Sequence, residues 1–148
     1  MVMARTYFWG WVAVLVSAVG CGSGGSDEGR VTIVVSTGGG LVGLYEGCRL
    51  QSSGSIERWR RIGEGGEDVL WRGEVSVEVA RGWRNRLERS GALDAPDRRT
   101  GNMTARVTYV HADTTLEWSW PVVATDNESS LGRWHAELTA FCKTLNGE

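Results

Sequence analysis

The chain has 148 residues, and its 16 basic and 18 acidic side chains leave a formal charge of −2. Near-neutrality gives no electrostatic case for nucleic acid, which needs a basic face. The length suffices for one domain with a real core and not for two once the first segment is set apart.

In that first segment Arg5 is the sole charge, and Tyr7 to Gly20 is an apolar run too short to span a bilayer as a helix of about 20 residues. It closes on Ser17, Ala18, Val19, Gly20 and Cys21, small residues before a cysteine, which resembles the lipobox of bacterial lipoproteins. Ala18 stands where that family more commonly has leucine. The resemblance implies a signal peptide over residues 1–20 and lipidation of Cys21, with diacylglycerol on its sulfur and an acyl (palmitate-type) chain on its new amino group. Several chains anchor stably where one holds only marginally. An ordinary secretory signal or an uncleaved anchor is the competing reading. Residues 21–29 then form the lipidated cysteine and a Gly/Ser tether, with an r.m.s. reach of about 15 to 17 Å. Gly22 follows Cys21 where an aspartate would resemble an inner-membrane retention signal. The expected location is therefore the cell envelope, on the outer membrane (periplasmic or surface face) if the cell has two membranes.

Residues 30–148 remain as a single domain; without the signal segment, residues 21–148 carry 15 basic and 18 acidic side chains, Asp27 and Glu28 of them in the tether. They hold six of the eight tryptophans, which can anchor a core or lie on a binding surface. They also hold Cys48 and Cys142. In an oxidising compartment two leftover thiols are expected to pair, the alternative being buried thiols that never meet.

Val31 to Thr37 is β-branched and alternates, so it reads as a strand. Gly38, Gly39, Gly40, Leu41, Val42 and Gly43 follow as a bend into a second strand, Leu44 to Gln51, where Gly47 suggests a bulge. Ser52 to Ser55 is a turn, and Ile56 to Ile62 a half-exposed third strand. Gly63 to Glu67 is a loop before a short fourth strand around Val69, Leu70 and Trp71. Ser76 caps a helix with Val79, Ala80, Trp83 and Leu87 inward, stopped at Ser90 and Gly91. Asn102 to His111 and Leu116 to Pro121 alternate about Ala112 and Asp113 as a hairpin. Asp126 to Ser130 is loop and cap. Leu131, Trp134, Leu138, Phe141 and Leu145 mark an amphipathic last helix. The order strands, helix, hairpin, helix predicts an α+β fold: an antiparallel sheet of about five to six strands with two helices packed on one face.

Motifs for catalysis or cofactors find little support. Gly38, Gly40 and Gly43 spell a dinucleotide fingerprint, but that site needs a helix to start at the glycines within a βαβ unit. No helical stripe follows Gly43, and the strand Ile56 to Ile62 is charged, so no nucleotide is expected. His111 and Asp113 lack a third metal ligand at recognisable spacing, and His135 reads as a solvated or edge histidine. There is no nucleophile elbow, and no carboxylate pair stands out. No enzyme activity, catalytic residue, metal or cofactor is expected. Arg58, Arg60, Arg61 and Arg72 surround Trp59 and Trp71, but the interleaved Glu57, Glu64, Glu67, Asp68 and Glu74 favour a solvated strand face.

The strand entering Ser36 to Gly40 and continuing through Gly43 resembles the opening of emfourin-like domains. The Ser76 to Ser90 helix, the Gly91 to Pro96 exit, the hairpin of Arg106 to Tyr109 with Leu116 to Trp118, and the Leu131 to Leu145 helix continue the likeness over nearly all of Arg30 to Gly147. Emfourin inhibits protealysin, a thermolysin-like metallopeptidase, so the resemblance implies a protease inhibitor with such an enzyme as partner. The charged Gly63 to Gly73 insertion, the lipobox and the two cysteines depart from that pattern, and a shared fold need not mean a shared target. Gly38, Gly39, Gly40, Leu41 and Val42 are the candidate contact loop, because glycines let backbone approach closely and Leu41 and Val42 can supply apolar anchors. The competing reading folds both side chains onto the core. A non-inhibitory envelope module with another partner is the functional alternative.

Cys21→Ser should release the protein from the membrane fraction of its cell. A variant that stays membrane-bound would remove the lipobox reading.

Overall fold

The computed structural model describes residues 29–94, 96–122 and 129–147. The signal segment, Cys21, the tether up to residue 28 and most of the loop before the last helix therefore lie outside the described residues. Six strands, β1 (Val31–Gly39), β2 (Leu44–Gln51), β3 (Ser55–Ile62), β4 (Asp68–Glu74), β5 (Met103–His111) and β6 (Thr114–Pro121), form one antiparallel sheet in the order β4-β3-β2-β1-β5-β6. Helix α1 (Val77–Arg89) lies between β4 and β5 in the chain, and α2 (Ser130–Leu145) closes it. This is the α+β architecture expected from the order of patterns.

Residues directly opposite in a sheet share a face. Ile33 pairs with Leu50 and Tyr109, Leu50 with Ile56, Val35 with Cys48 and Val107, and Val107 with Trp118. All of these are buried in one cluster with Ala80 and Leu87 of α1 and Trp134, Leu138 and Cys142 of α2. Both helices therefore cover the same face. Each fully buried aliphatic side chain there contributes roughly 1.5 to 3 kcal/mol relative to exposure.

The helix starts follow from their caps. Ser76 accepts from the Val79 N–H and Ser129 from the Gly132 N–H, each satisfying a donor that the first turn leaves orphaned. Val79, expected inward, is 40% exposed, and Ala80, Trp83 and Leu87 carry the contact. Five of the six tryptophans anchor the core: Trp118 and Trp134 are buried in it and Trp71, Trp83 and Trp120 pack against it, whereas Trp59 is buried on the opposite face of the sheet. The Trp118 Nε1 donates to the Ala92 carbonyl at 2.9 Å and the Trp134 Nε1 to the Trp83 carbonyl at 3.2 Å, which removes the cost of burying those donors.

Two local expectations change. Gly47 is not a bulge, since β2 pairs with β1 and β3 in unbroken register through it. A Cβ on Gly47 would stand 2.4 Å from the Trp59 ring, so glycine is there to let that indole lie flat on the sheet face away from the helices. The irregularity falls instead between Arg58 and Trp59 against β4, which runs longer than the three residues its apolar core suggested.

Cys48 and Cys142 are bonded and buried, joining β2 to α2 across a sequence separation of 94. Closing so long a loop stabilises by roughly 4 to 5 kcal/mol on chain-entropy grounds. The doubly substituted Cys48→Ala, Cys142→Ala domain should therefore lose a large fraction of its stability, read as a lower urea midpoint with a steeper slope, because the unfolded chain without the cross-link exposes more surface. An unaltered midpoint would show that the cross-link contributes nothing.

Candidate protein-binding site

Gly39 and Leu44 are the last paired residues of the β1–β2 hairpin. The four residues between them make a β-turn closed by the Gly43 N–H donating to the Gly40 carbonyl at 3.2 Å. Leu41 and Val42 are its two central residues. Central turn side chains have nothing beneath them, and Leu41 is 106% exposed and Val42 73%. The alternative in which they fold onto the core is thereby corrected. The glycine run opens no helix here; it turns one antiparallel strand into the next.

The turn is held from both sides. The Gly40 N–H donates to the Asn102 carbonyl at 2.6 Å, before β5, and the Gly63 N–H donates to the Gly43 carbonyl at 2.9 Å, after β3. Gly39 has φ of 129°, and a Cβ on it would meet the Asn102 carbonyl oxygen at 2.2 Å. Only glycine satisfies both that backbone and that approach.

Behind the turn runs an apolar rung. Leu44 pairs with both Gly39 and Ile62, and Gly39 also pairs with Met103. Leu44, Ile62 and Met103 are 40%, 55% and 41% exposed. The Val122 N–H donates to the Met103 carbonyl, which extends the apolar edge by one more exposed side chain. Beside the rung a groove of about 310 Å³ opens, with Leu44 and Met103 on one side and Thr139, Cys142 and Lys143 of α2 on the other. A few scattered apolar residues on a surface are ordinary; several adjoining ones mark a contact surface.

The other candidates separate in space. Arg58 is buried on the helix side, opposite Cys48, whereas Arg61 and Arg72 point to the other face. Arg61 stacks over the Tyr45 ring at 4.9 Å, and Arg72 and Arg49 share Glu57, with Arg49 also reaching Glu67 at 2.8 Å. The four arginines thus do not gather on one face. His111 ends β5 at the hairpin turn with Asp113, and among the described residues no group of three His, Cys, Asp or Glu side chains is arranged to hold a metal.

His135 is neither solvated nor at an edge. It is 7% exposed, its ring meets Trp120 edge-on at 5.4 Å, and its Nε2 lies 3.0 Å from the Ser36 carbonyl. A carbonyl only accepts, so Nε2 carries the proton and donates. Burial pushes the imidazole below its ordinary pKa, partly offset by that hydrogen bond. The signal for it is helical spacing: position 135 follows Leu131 by four residues and precedes Leu138 by three, which puts it on the inward face.

No protein-family model matches the chain, and no curated protein matches it.

A histidine whose folded pKa is depressed binds fewer protons than the unfolded chain as pH falls below its ordinary value. Stability should then be fully present above about pH 6.5 and decline below it. His135→Gln, uncharged throughout, should flatten the urea midpoint between about pH 6.5 and 5, above the carboxylate range. The same decline in that variant would remove His135 as its cause.

Proposed function

We propose that this domain binds protein through its β1–β2 turn and acts as a lipid-anchored inhibitor of a thermolysin-like metallopeptidase. The observation that carries the reading is Leu41, a large aliphatic side chain at full exposure on a turn whose backbone is hydrogen-bonded on both flanks. Exposing leucine forgoes the favourable burial that apolar side chains gain, and fixing its backbone in advance lowers the entropy lost on binding. That combination suits an anchor residue. The likeness to emfourin-like domains supports the choice of target, and the cysteine after the apolar run supports the anchor.

The physical means would be occlusion. A peptidase cleft takes extended peptide, and a contact of order 1,600 Å² is the usual size for a stable complex. Leu41 and Val42 would fill apolar subsites while the rung of Leu44, Ile62 and Met103 rests on the rim. The donors and acceptors of Gly40 and Gly43 are already engaged, so the turn resists being drawn into the extended form that cleavage requires. No catalytic group, metal or cofactor of this chain takes part in the proposal.

Titrating the domain of residues 30–148 into a purified thermolysin-like peptidase should abolish peptide hydrolysis at one equivalent, with the domain recovered intact. Leu41→Asp and Val42→Asp should each weaken inhibition at least about tenfold, the effect of losing a buried anchor worth more than 1 kcal/mol. Neither should shift the melting temperature, because neither side chain supports the core. Full peptidase activity at tens of micromolar domain would remove that enzyme as the target and leave the non-inhibitory envelope module as the better account.

A further inference from the structure

Between the last turn of α1 and the first turn of α2 lies an open groove of about 430 Å³, lined by Arg86, Arg89, Ser90, Ser130, Arg133 and Glu137. Three guanidinium groups therefore meet one carboxylate. Arg86 is held in place, pairing with Glu137 and stacking over the Trp83 ring at 4.6 Å. The Arg89 Nε donates to the Asn85 carbonyl at 3.1 Å, and its terminal nitrogens are unengaged among the described residues. The Arg133 guanidinium has no partner among the described residues.

Helix stability does not call for this gathering. Arg86 and Arg89 suit the end of α1, where cations complement the helix dipole. Arg133 stands in the first turn of α2, which holds no acidic residue, and a cation there is disfavoured. Two further arginines across the groove add like-charge repulsion. Local choices that oppose stability are expected where a ligand compensates for them.

We infer that this groove is an oxyanion site that takes a phosphoryl group, supplied by soluble phosphate or by an anionic phospholipid headgroup. One bidentate arginine satisfies the two oxygens of a carboxylate, whereas a tetrahedral phosphate offers oxygens to several guanidinium forks. Three arginines opposed by Glu137 leave a charge of +2, which matches a phosphate dianion. Arg133 lies about 15 Å along α2 from Lys143, which borders the groove at the β1–β2 turn. The site is thus separate from the peptidase contact and depends on neither that reading nor the anchor.

The test titrates sodium phosphate into the full chain in non-ionic detergent at constant ionic strength, following backbone amide and arginine Nε–H resonances. Saturable shifts are expected at residues 130–133 and at the Nε–H of Arg89 and Arg133. Arg133→Gln should weaken the response at least about tenfold, the effect of losing one charge-assisted contact. Arg81→Gln, on α1 but outside the groove, should leave it unchanged. Without phosphate, the urea midpoint of Arg133→Gln should equal or exceed that of the parent, because a disfavoured cation is gone. A lower midpoint would make Arg133 a structural partner and overturn the site. Bicelles with phosphatidylglycerol, compared with phosphatidylcholine alone, separate the two sources: shifts of the same signals by the anionic lipid but not by free phosphate would assign the group to a headgroup. Equal shifts with sodium acetate, or no saturable shift with either phosphate or phosphatidylglycerol, would overturn the inference.

Discussion

Strand β1 is the constraint on which the rest depends. It lies inside the sheet and pairs along its length with β2 on one side and β5 on the other. A strand paired on both sides cannot slip by one residue without moving Val31, Ile33 and Val35 out of the core and breaking two ladders together. The same three residues face α1 and α2, so the position of the helix layer is set by the alternation of one strand. The end of β1 then passes directly into the exposed turn, which inherits its placement from the most constrained element of the molecule.

The helices and the disulfide act on that frame in different ways. Packing of Leu87 and Leu138 is favourable only in the folded state, whereas the Cys48–Cys142 bond acts chiefly by limiting the unfolded chain. The bond also fixes the C-terminal half of α2 over β2, beside the groove that adjoins Leu44 and Met103. The position of that helix is what leaves the last rung of the sheet uncovered. An apolar rung that α2 covered would be core; beyond its edge it becomes surface.

On the opposite face, the sheet is closed by charge and aromatic stacking in place of a second helix layer. Trp59 lies on Gly47, Arg61 on Tyr45, and Glu57 joins Arg49 to Arg72. Further along, Glu117 is approached by Arg106 at 3.6 Å and Arg98 at 3.9 Å. Pairs of this kind on a wet surface contribute little each. Their effect is to cover the face with matched charge, which leaves the turn end as the concentrated apolar exposure among the described residues.

Local patterns by themselves determined the strands apart from the extent of β4, the Ser76 cap, the α+β order and the glycine turn, because period-two alternation, a serine before a helix and clustered glycines act over a few residues. Cysteine arithmetic reached further and paired Cys48 with Cys142 without any geometry. What only the tertiary structure decided involves partners distant in the chain. His135 is buried because the Ser36 carbonyl, 99 residues away, gives its ring a hydrogen bond. Gly47 is needed because Trp59 crosses over it, and Arg58 is buried because it lies opposite Cys48. Leu44, Ile62 and Met103 each look inward by alternation within their own strands. They become a surface only because three strands bring them to one rung past the edge of α2, and no single strand's pattern records where that edge falls.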